Sequence, residues 1–370
     1  MHPLKIILWS PKGCGNHYYG PGKNAFNLYS EIKKSKELDL VLVHAYPGHE
    51  ESTLFNEVYK IGDFNQNKLI PFIKYTYNAF GLLWKYRNQG FIFHGLDVYS
   101  NIFIPALVAK ALGYPVALKL AAYPSGFSAS NNKLLLIFRR KMISYIDIFF
   151  AISHEIYNEL LSLKVESKKI KLVYNGVEVP EYFKGNSESP PVNIRTILFT
   201  GALVRRKRPH LLIEALGISK SPYSWKLLLV GPMQDQCYLD EMKALVGKYG
   251  LSKRVLFLGF KSDLRDFYLS ADLYALPSLS EGMPNGVLEA MSYSLPIIIS
   301  NFSSANILCN NGNGYIADSA VKISNCLDLF LSNESDFGEK GSKSLELIEL
   351  NFKLSNISKS YIQTFNDYIE

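Results

Sequence analysis

Glu281 and Glu289 lie in the run Pro277-Ser-Leu-Ser-Glu-Gly-Met-Pro-Asn-Gly-Val-Leu-Glu-Ala-Met291, and the residues around them are the parts of a binding site. An apolar stretch, Ala271 to Leu276, reads as a buried strand that stops at Pro277. A polar loop carries Glu281. Pro284 then opens a helix, a position where its missing N–H costs nothing. Glu289 follows about one turn in, with Leu288, Met291 and Leu295 facing the domain body. Backbone N–H groups of Met283, Asn285 and Gly286, on either side of Pro284 and at the positive end of a helix dipole, suit a phosphate. A carboxylate on either side of them can accept hydrogen bonds from sugar hydroxyls. A nucleotide-sugar diphosphate needs that combination.

A basic loop adds to it. Gly201 to Pro209 follows another strand-like segment and contains Arg205-Arg206-Lys207-Arg208. Cations beside a strand end can hold a diphosphate and neutralise the charge that grows on it as a bond to it breaks. Either Arg205 or Arg206 can fill that place. Near the N-terminus, Ser10 to Gly22 is a glycine-rich loop between the first strand and the first helix. Its glycines let backbone N–H groups approach phosphate oxygens closely. Its spacing is not G-x-G-x-x-G and no ribose carboxylate follows, which argues against a dinucleotide dehydrogenase. Gly231, in Val230-Gly-Pro232, and Gly259, just before Lys261, end further strands. No D-x-D occurs. His94, closing Phe91 to His94, reads as a structural strand-end histidine.

The elements that must position these residues alternate between strand and helix, as in an α/β protein with parallel sheets. A chain of 370 residues predicts two domains, and 48% hydrophobic with 20% charged residues is a globular composition. The first domain covers 1–180, with strands near Lys5–Trp9, Leu40–Ala45, Phe91–His94, Val116–Leu120, Ile148–Ile152 and Lys171–Val173. Its helices fall near Asn24–Lys34, Asn101–Leu112 and His154–Leu163. Glu181 to Pro191 reads as a linker. The second domain, 192–352, restarts the alternation at Thr196–Thr200, Lys226–Val230, Val255–Leu258, Asp272–Leu276 and Pro296–Ser300. Its helices fall near Pro209–Leu216, Leu239–Tyr249, Asp263–Leu269 and Pro284–Tyr293. A terminal helix in 353–370 is expected to pack back towards the first domain. Two doubly wound domains facing each other leave a cleft at the carboxyl ends of their strands.

Four scattered cysteines lack metal-ligand spacing, and no disulfide framework is indicated. The opening residues are too short for a signal peptide, and no apolar stretch reaches the roughly 18 to 20 residues of a membrane span. The expectation is a cytoplasmic protein. Residues 1–180 hold 21 Lys plus Arg against 13 Asp plus Glu, and the remainder 19 against 20. A basic first half suits a phosphate-bearing acceptor, or peripheral contact with an anionic membrane at its inner face. Lys133 to Lys141, apolar residues bracketed by four cations, is the most suggestive piece; a core helix with a cationic end is the alternative. The dispersed basic residues form no nucleic-acid reading motif.

The pattern E-x7-E, set in S-x-x-E-G-x-P-x-x-x-L-E-A-M, resembles the signature of retaining glycosyltransferases of family 4, which have the GT-B fold of two Rossmann-like domains. Ala151-Ile-Ser153, Lys171 to Val177, the Gly201–Lys207 loop and Val230-Gly-Pro232 occur in that family's order, so the likeness covers most of 150–300. It implies transfer of a hexose-type sugar from an NDP-sugar, UDP favoured and GDP the second choice, to a glycan or lipid-linked acceptor in surface polysaccharide synthesis. The donor is expected on the second domain and the acceptor on the first. The resemblance assigns Glu281 and Lys207 to catalysis, with Arg206 carried as the catalytic arginine and Arg205 left open as its alternative. It gives the donor Glu289, Gly20, Gly22, Gly201, Gly231, Gly259, Lys261, Met283, Pro284, Asn285 and Gly286. Neither metal nor cofactor is expected, Lys207 and its neighbours replacing a divalent ion. Two positions depart from the family. Ala202 stands where an Arg usually follows the glycine, and Ala121 where many members have a His, with Lys119 or Tyr123 as substitutes. A nucleotide-sugar 2-epimerase and a non-catalytic GT-B sugar-binding scaffold are the rival readings.

Overall fold

The computed structural model describes residues 3–11, 13–14, 20–45, 53–62, 69–96, 100–121, 123–125, 127–128, 133–181, 194–219, 224–310, 312–332 and 335–368. The chain divides into two compact units, one of residues 1–176 with 354–370 and one of residues 177–353.

The first unit runs β1 (Leu4–Trp9), α1 (Gly20–Ser35), β2 (Leu38–His44), β3 (Glu57–Lys60), α2 (Leu69–Tyr86), β4 (Ile92–Leu96), α3 (Ser100–Ala111), β5 (Val116–Leu120), α4 (Lys133–Met142), β6 (Ile148–Ala151), α5 (His154–Ser162) and β7 (Ile170–Leu172). Its strands form a parallel sheet in the order β3-β2-β1-β4-β5-β6-β7. β4, β5 and β6 are buried along their whole length, which is why they read as continuous apolar runs rather than alternating ones. On α1 the inward positions Ala25, Leu28, Tyr29 and Ile32 follow helical spacing and enter the sheet core.

The second unit runs β8 (Ile194–Thr200), α6 (His210–Ile218), β9 (Ser224–Val230), α7 (Gln236–Lys248), β10 (Val255–Gly259), α8 (Arg265–Leu269), β11 (Leu273–Leu276), α9 (Asn285–Ser292), β12 (Ile297–Ile299), α10 (Ala305–Leu308), β13 (Gly314–Ile316), α11 (Ala320–Ser332) and α12 (Ser335–Leu347). Its parallel sheet has the order β10-β9-β8-β11-β12-β13. The chain then returns to the first unit as α13 (Leu354–Asn366). Tyr361 of α13 stacks on Phe150 with ring centroids 4.1 Å apart, and Lys36 Nζ donates to Asn366 Oδ1 at 2.6 Å.

Three differences from the sequence reading matter. Gly20 and Gly22 belong to the first turn of α1, not to a loop before it, because Pro21 between them is accommodated where its N–H is not needed. Of the rest of that loop, 12 and 15–19 lie outside the described residues. The sequence also leaves β3 and α2 unassigned: α2 carries large apolar residues on two faces, which blurs the period that marks a helix. In α4, Arg139 turns inward to lie 5.5 Å from the Phe103 ring, so the cations of Lys133 to Lys141 do not all face solvent.

His94, on β4, is fully buried, with Nδ1 2.6 Å from the Tyr29 hydroxyl and Phe150, Tyr361 and Phe365 around its ring. Burial lowers its pKa to about 3, and Lys119 pushes the same way. The folded chain keeps His94 neutral where the unfolded chain, at about 6.5, takes up a proton. Stability from this group is therefore full above about pH 6.5 and falls as pH drops towards 3. From pH 7 to about pH 5, His94→Gln should lose about 2 kcal/mol less urea-unfolding stability than the parent. Equal losses in the two proteins would refute a neutral His94.

Candidate functional site

Three adjacent strands of the second unit end on glycine. β8 runs out at Thr200 into Gly201, β9 at Val230 into Gly231, and β10 closes on Gly259. Gly201 N–H donates to the Val230 carbonyl at 2.9 Å, and Gly231 N–H to the Gly259 carbonyl at 2.8 Å. The φ angles of Gly201, Gly231 and Gly259 are 129°, 154° and 66°. At Gly231 a side chain would strike the Gly201 carbonyl, so the two backbones approach only because Gly231 carries none. At Gly201 a Cβ would lie 2.5 Å from Lys207 Nζ. The bare glycine lets that ammonium rest across the strand end.

The loop after β8 is tied to the loop after β11 through Glu281. Arg206 Nη1 lies 3.0 Å from Glu281 Oε1 and Lys207 Nζ 3.8 Å from the same oxygen. The Ser278 hydroxyl donates to Glu281 Oε1 at 3.0 Å, and the Ser303 hydroxyl to the Glu281 carbonyl at 3.2 Å. Arg206 also donates to the Ser280 carbonyl, and its own carbonyl accepts from Leu279 N–H at 2.8 Å. Arg208, in the left-handed region at φ 50°, donates from Nε to the Pro277 carbonyl at 2.7 Å. The Glu281 and Lys207 side chains are 13% and 19% exposed, so they interact largely out of water, whereas Arg206 at 50% reaches solvent. Burial pushes the Lys207 ammonium below the ordinary lysine value; Glu281 opposes that fall and Arg206 adds to it. Arg205 is engaged elsewhere, paired with Glu241 and lying 5.0 Å from the Tyr238 ring. Of the two arginines, the geometry joins Arg206 to Glu281.

Glu289, on α9, is oriented by phenols. Its Oε2 accepts from the Tyr268 hydroxyl at 2.8 Å; that hydroxyl is 3.1 Å from Thr200 Oγ1, which is 3.1 Å from the Tyr274 hydroxyl. Tyr268 stacks on Tyr293 with ring centroids 5.2 Å apart. Burial, reinforced by the Glu289 charge, raises the Tyr268 phenol well above its ordinary value, so it remains a donor. The sequence reading missed Thr200, Tyr268 and Tyr274; the one available signal was a tyrosine inside the otherwise apolar β11. α9 begins on Asn285 after buried Met283 and Pro284, whose extended backbone (φ −75°, ψ 113°) turns the chain into the helix. Any side chain at Gly286 would collide with the Tyr274 hydroxyl and come within 2.7 Å of Thr200 Oγ1. Glycine there allows the helix start to rest on the strand ends.

The remaining candidates are distributed as follows. Lys261 is exposed just beyond Gly259. Gly20 and Gly22 belong to the first unit. Lys119 is buried and donates to the Asn24 side chain, while Tyr123 is about half exposed. Among the described residues no three His, Cys, Asp or Glu side chains are grouped to hold a metal ion.

Residues 184–344 match the family model described as glycosyl transferases group 1. The match supports a glycosyltransferase family for the second unit. The chain is 29% identical over 167 residues to the Escherichia coli UDP-Gal:alpha-D-GlcNAc-diphosphoundecaprenol alpha-1,3-galactosyltransferase, covering 40% of this chain and 41% of that one. It is 26% identical over 264 residues to the Bacillus anthracis N-acetyl-alpha-D-glucosaminyl L-malate synthase, covering 66% of this chain and 65% of the other. The alignments thus span about two fifths and just under two thirds of those relatives. Anabaena HepE, crystallised in complex with UDP and glucose, superimposes with a TM-score of 0.79 at 17% identity, over 98% of this chain and 100% of HepE. Similarity at that level carries the fold, which is GT-B with two Rossmann-like sheets.

The glycine edge yields a graded stability test. Gly259→Ala meets nothing nearer than Met233 Cε at 4.0 Å and should cost about 1–2 kcal/mol for its left-handed backbone. Gly231→Ala adds a backbone collision and should cost several kcal/mol, roughly 3 or more, by chemical denaturation. Equal costs at the two positions would contradict the close approach of β8 and β9 ends.

Proposed function

We propose that the protein is a retaining glycosyltransferase of family 4 that transfers a hexose-type sugar from an NDP-sugar, UDP favoured, to a glycan or lipid-linked acceptor. The observation that carries this reading is the pair of differently held carboxylates at the glycine-edged strand ends. Glu281 is gripped by Arg206 and Lys207, and Glu289 is aligned by Tyr268. Two cations facing one buried carboxylate leave an excess of positive charge suited to a diphosphate. The group 1 family match over the same residues supports the assignment, as do relatives named for UDP-galactose transfer and for synthesis of a glucosaminyl malate.

In this reading Glu289 accepts hydrogen bonds from the ribose hydroxyls, a use that needs no proton transfer. Gly259 and Lys261 border the base. Backbone N–H groups between Met283 and Gly286, with those at Gly201 and Gly231, meet sugar and phosphate. Glu281 accepts from a sugar hydroxyl. The bond from the anomeric carbon to the diphosphate oxygen breaks, and its electron pair leaves with the diphosphate. The acceptor oxygen bonds on the face just vacated, and its proton passes to a donor phosphate oxygen. Lys207 and Arg206 neutralise the departing charge in place of a divalent ion. EDTA then leaves turnover unchanged; loss of activity restored by magnesium or manganese would overturn that element.

Calorimetry tests the nucleotide assignment. Removing charged hydrogen bonds worth about 1.5–3 kcal/mol, Glu289→Ala should weaken UDP binding roughly 10- to 100-fold. Unchanged UDP and GDP affinity in that variant would remove the ribose role. The lowered Lys207 pKa adds a pH signature. Diphosphate binds the protonated ammonium, so affinity falls as pH rises through a Lys207 pKa below the ordinary value of about 10.4. Lys207→Arg, charged throughout, should bind UDP without that decline; an identical alkaline decline in both proteins would assign it to another group.

A further inference from the structure

The helix α2 has no acidic residue in its eighteen positions. Its inward face, Tyr75, Ala79, Leu83 and Tyr86, is buried in the first unit. Its outward face is also apolar. Ile73, Tyr77, Phe80 and Trp84 are 55%, 75%, 44% and 45% exposed, and their spacing of four, three and four residues places them in one row. Phe80 and Trp84 stack with ring centroids 5.5 Å apart, and the Arg87 guanidinium lies 3.8 Å from the Trp84 ring. Lys74 and Lys85 are exposed beside the row. The neighbouring carboxylate, Glu57, is paired with Lys85 at 3.0 Å.

We propose that this row docks the protein on the surface of an anionic lipid bilayer, with α2 in the headgroup plane and its aromatic side chains inserted. Tryptophan, tyrosine and phenylalanine beside lysine and arginine suit that depth, where rings enter the acyl boundary and cations remain among the phosphates. Charge complementarity points the same way, since the helix carries cations only and residues 1–180 hold 21 Lys plus Arg against 13 Asp plus Glu. The row extends about 16 Å along one helix. Aromatics of about 150–250 Å² each, roughly half exposed, offer with Ile73 on the order of 400 Å². A stable protein partner takes about 800 Å² per side, so a second copy of the chain is the weaker occupant. α2 does not meet the hydropathy of a membrane-crossing helix, which fits attachment in the plane. Anionic surface contact was expected from Lys133 to Lys141; the present proposal locates it on α2. The inference involves neither sugar donor nor acceptor, so it stands or falls separately from the transferase reading.

Tryptophan fluorescence provides the test. Of three tryptophans, Trp9 and Trp225 are buried, so an emission shift on adding vesicles reports Trp84. The full chain should show a blue shift and co-sediment with phosphatidylglycerol vesicles, and do so more weakly with phosphatidylcholine vesicles or at high salt. Phe80→Ser with Trp84→Ser should reduce co-sedimentation about tenfold while leaving the melting temperature nearly unchanged. Tyr77→Ser with Lys74→Glu supplies an independent pair should the first fail to fold. Leu350→Ser, at an exposed position in the second unit, should bind vesicles as the parent does. Absence of binding to both vesicle types overturns the proposal, as does binding that either α2 pair leaves intact. Light scattering that shows a dimer dissolved by those substitutions would assign the row to a second copy instead.

Discussion

Glu281 bridges two loops, setting its carboxylate on one against the cations Arg206 and Lys207 on the other. The Arg205–Arg208 run concentrates positive charge at the end of β8, and Lys207 is carried into a mostly buried position there. Desolvating an ammonium is costly unless a partner returns Coulomb energy. Glu281 supplies it from the loop after β11, while Arg206 and Ser278 satisfy the same carboxylate oxygen. The constraint extends outward. Gly201 must lack a side chain so that Lys207 can lie over it, and Gly231 must lack one so that β9 can end beside it. Lys207 and the Gly201 backbone thus dictate the composition of the strand ends around them.

The two carboxylates sit in different surroundings. One is locked between cations, which fixes its position and makes its surroundings receptive to an anion. The other leans on a tyrosine embedded in a network with Thr200 and Tyr274. Neutral phenols orient a carboxylate without cancelling its charge, the condition for accepting hydrogen bonds from hydroxyl groups. Gly286 belongs to the second arrangement, because its missing side chain is what allows α9 to begin against that tyrosine network.

Much of this was legible in sequence, and the gaps have physical causes. Parallel strands buried on both faces announce themselves as apolar runs, so β5, β6, β8 and β9 were readable to within a residue or two. Edge strands were harder: β3 is largely exposed and β13 spans only Gly314–Ile316, so neither has a contrasting pattern. Glu281, Lys207 and the strand-end glycines were visible because charge, proline and glycine cluster at fixed offsets from strands. The choice between Arg205 and Arg206 was not visible, since it depends on Glu241 and Tyr238 of α7, distant in sequence. Tyr268 and Tyr274 were hidden for the opposite reason: a buried tyrosine counts as apolar until its hydroxyl partner is known.

The claim at the centre of this account is that the carboxyl edge of the second sheet receives a nucleoside diphosphate. Amide hydrogen exchange with and without UDP addresses it directly, because bound phosphate shields the backbone groups it contacts. The account predicts slowed exchange at Gly201 to Lys207 and at Met283 to Gly286, with α6 and α11 unchanged. Protection confined to other segments, or no protection at saturating UDP, would contradict it.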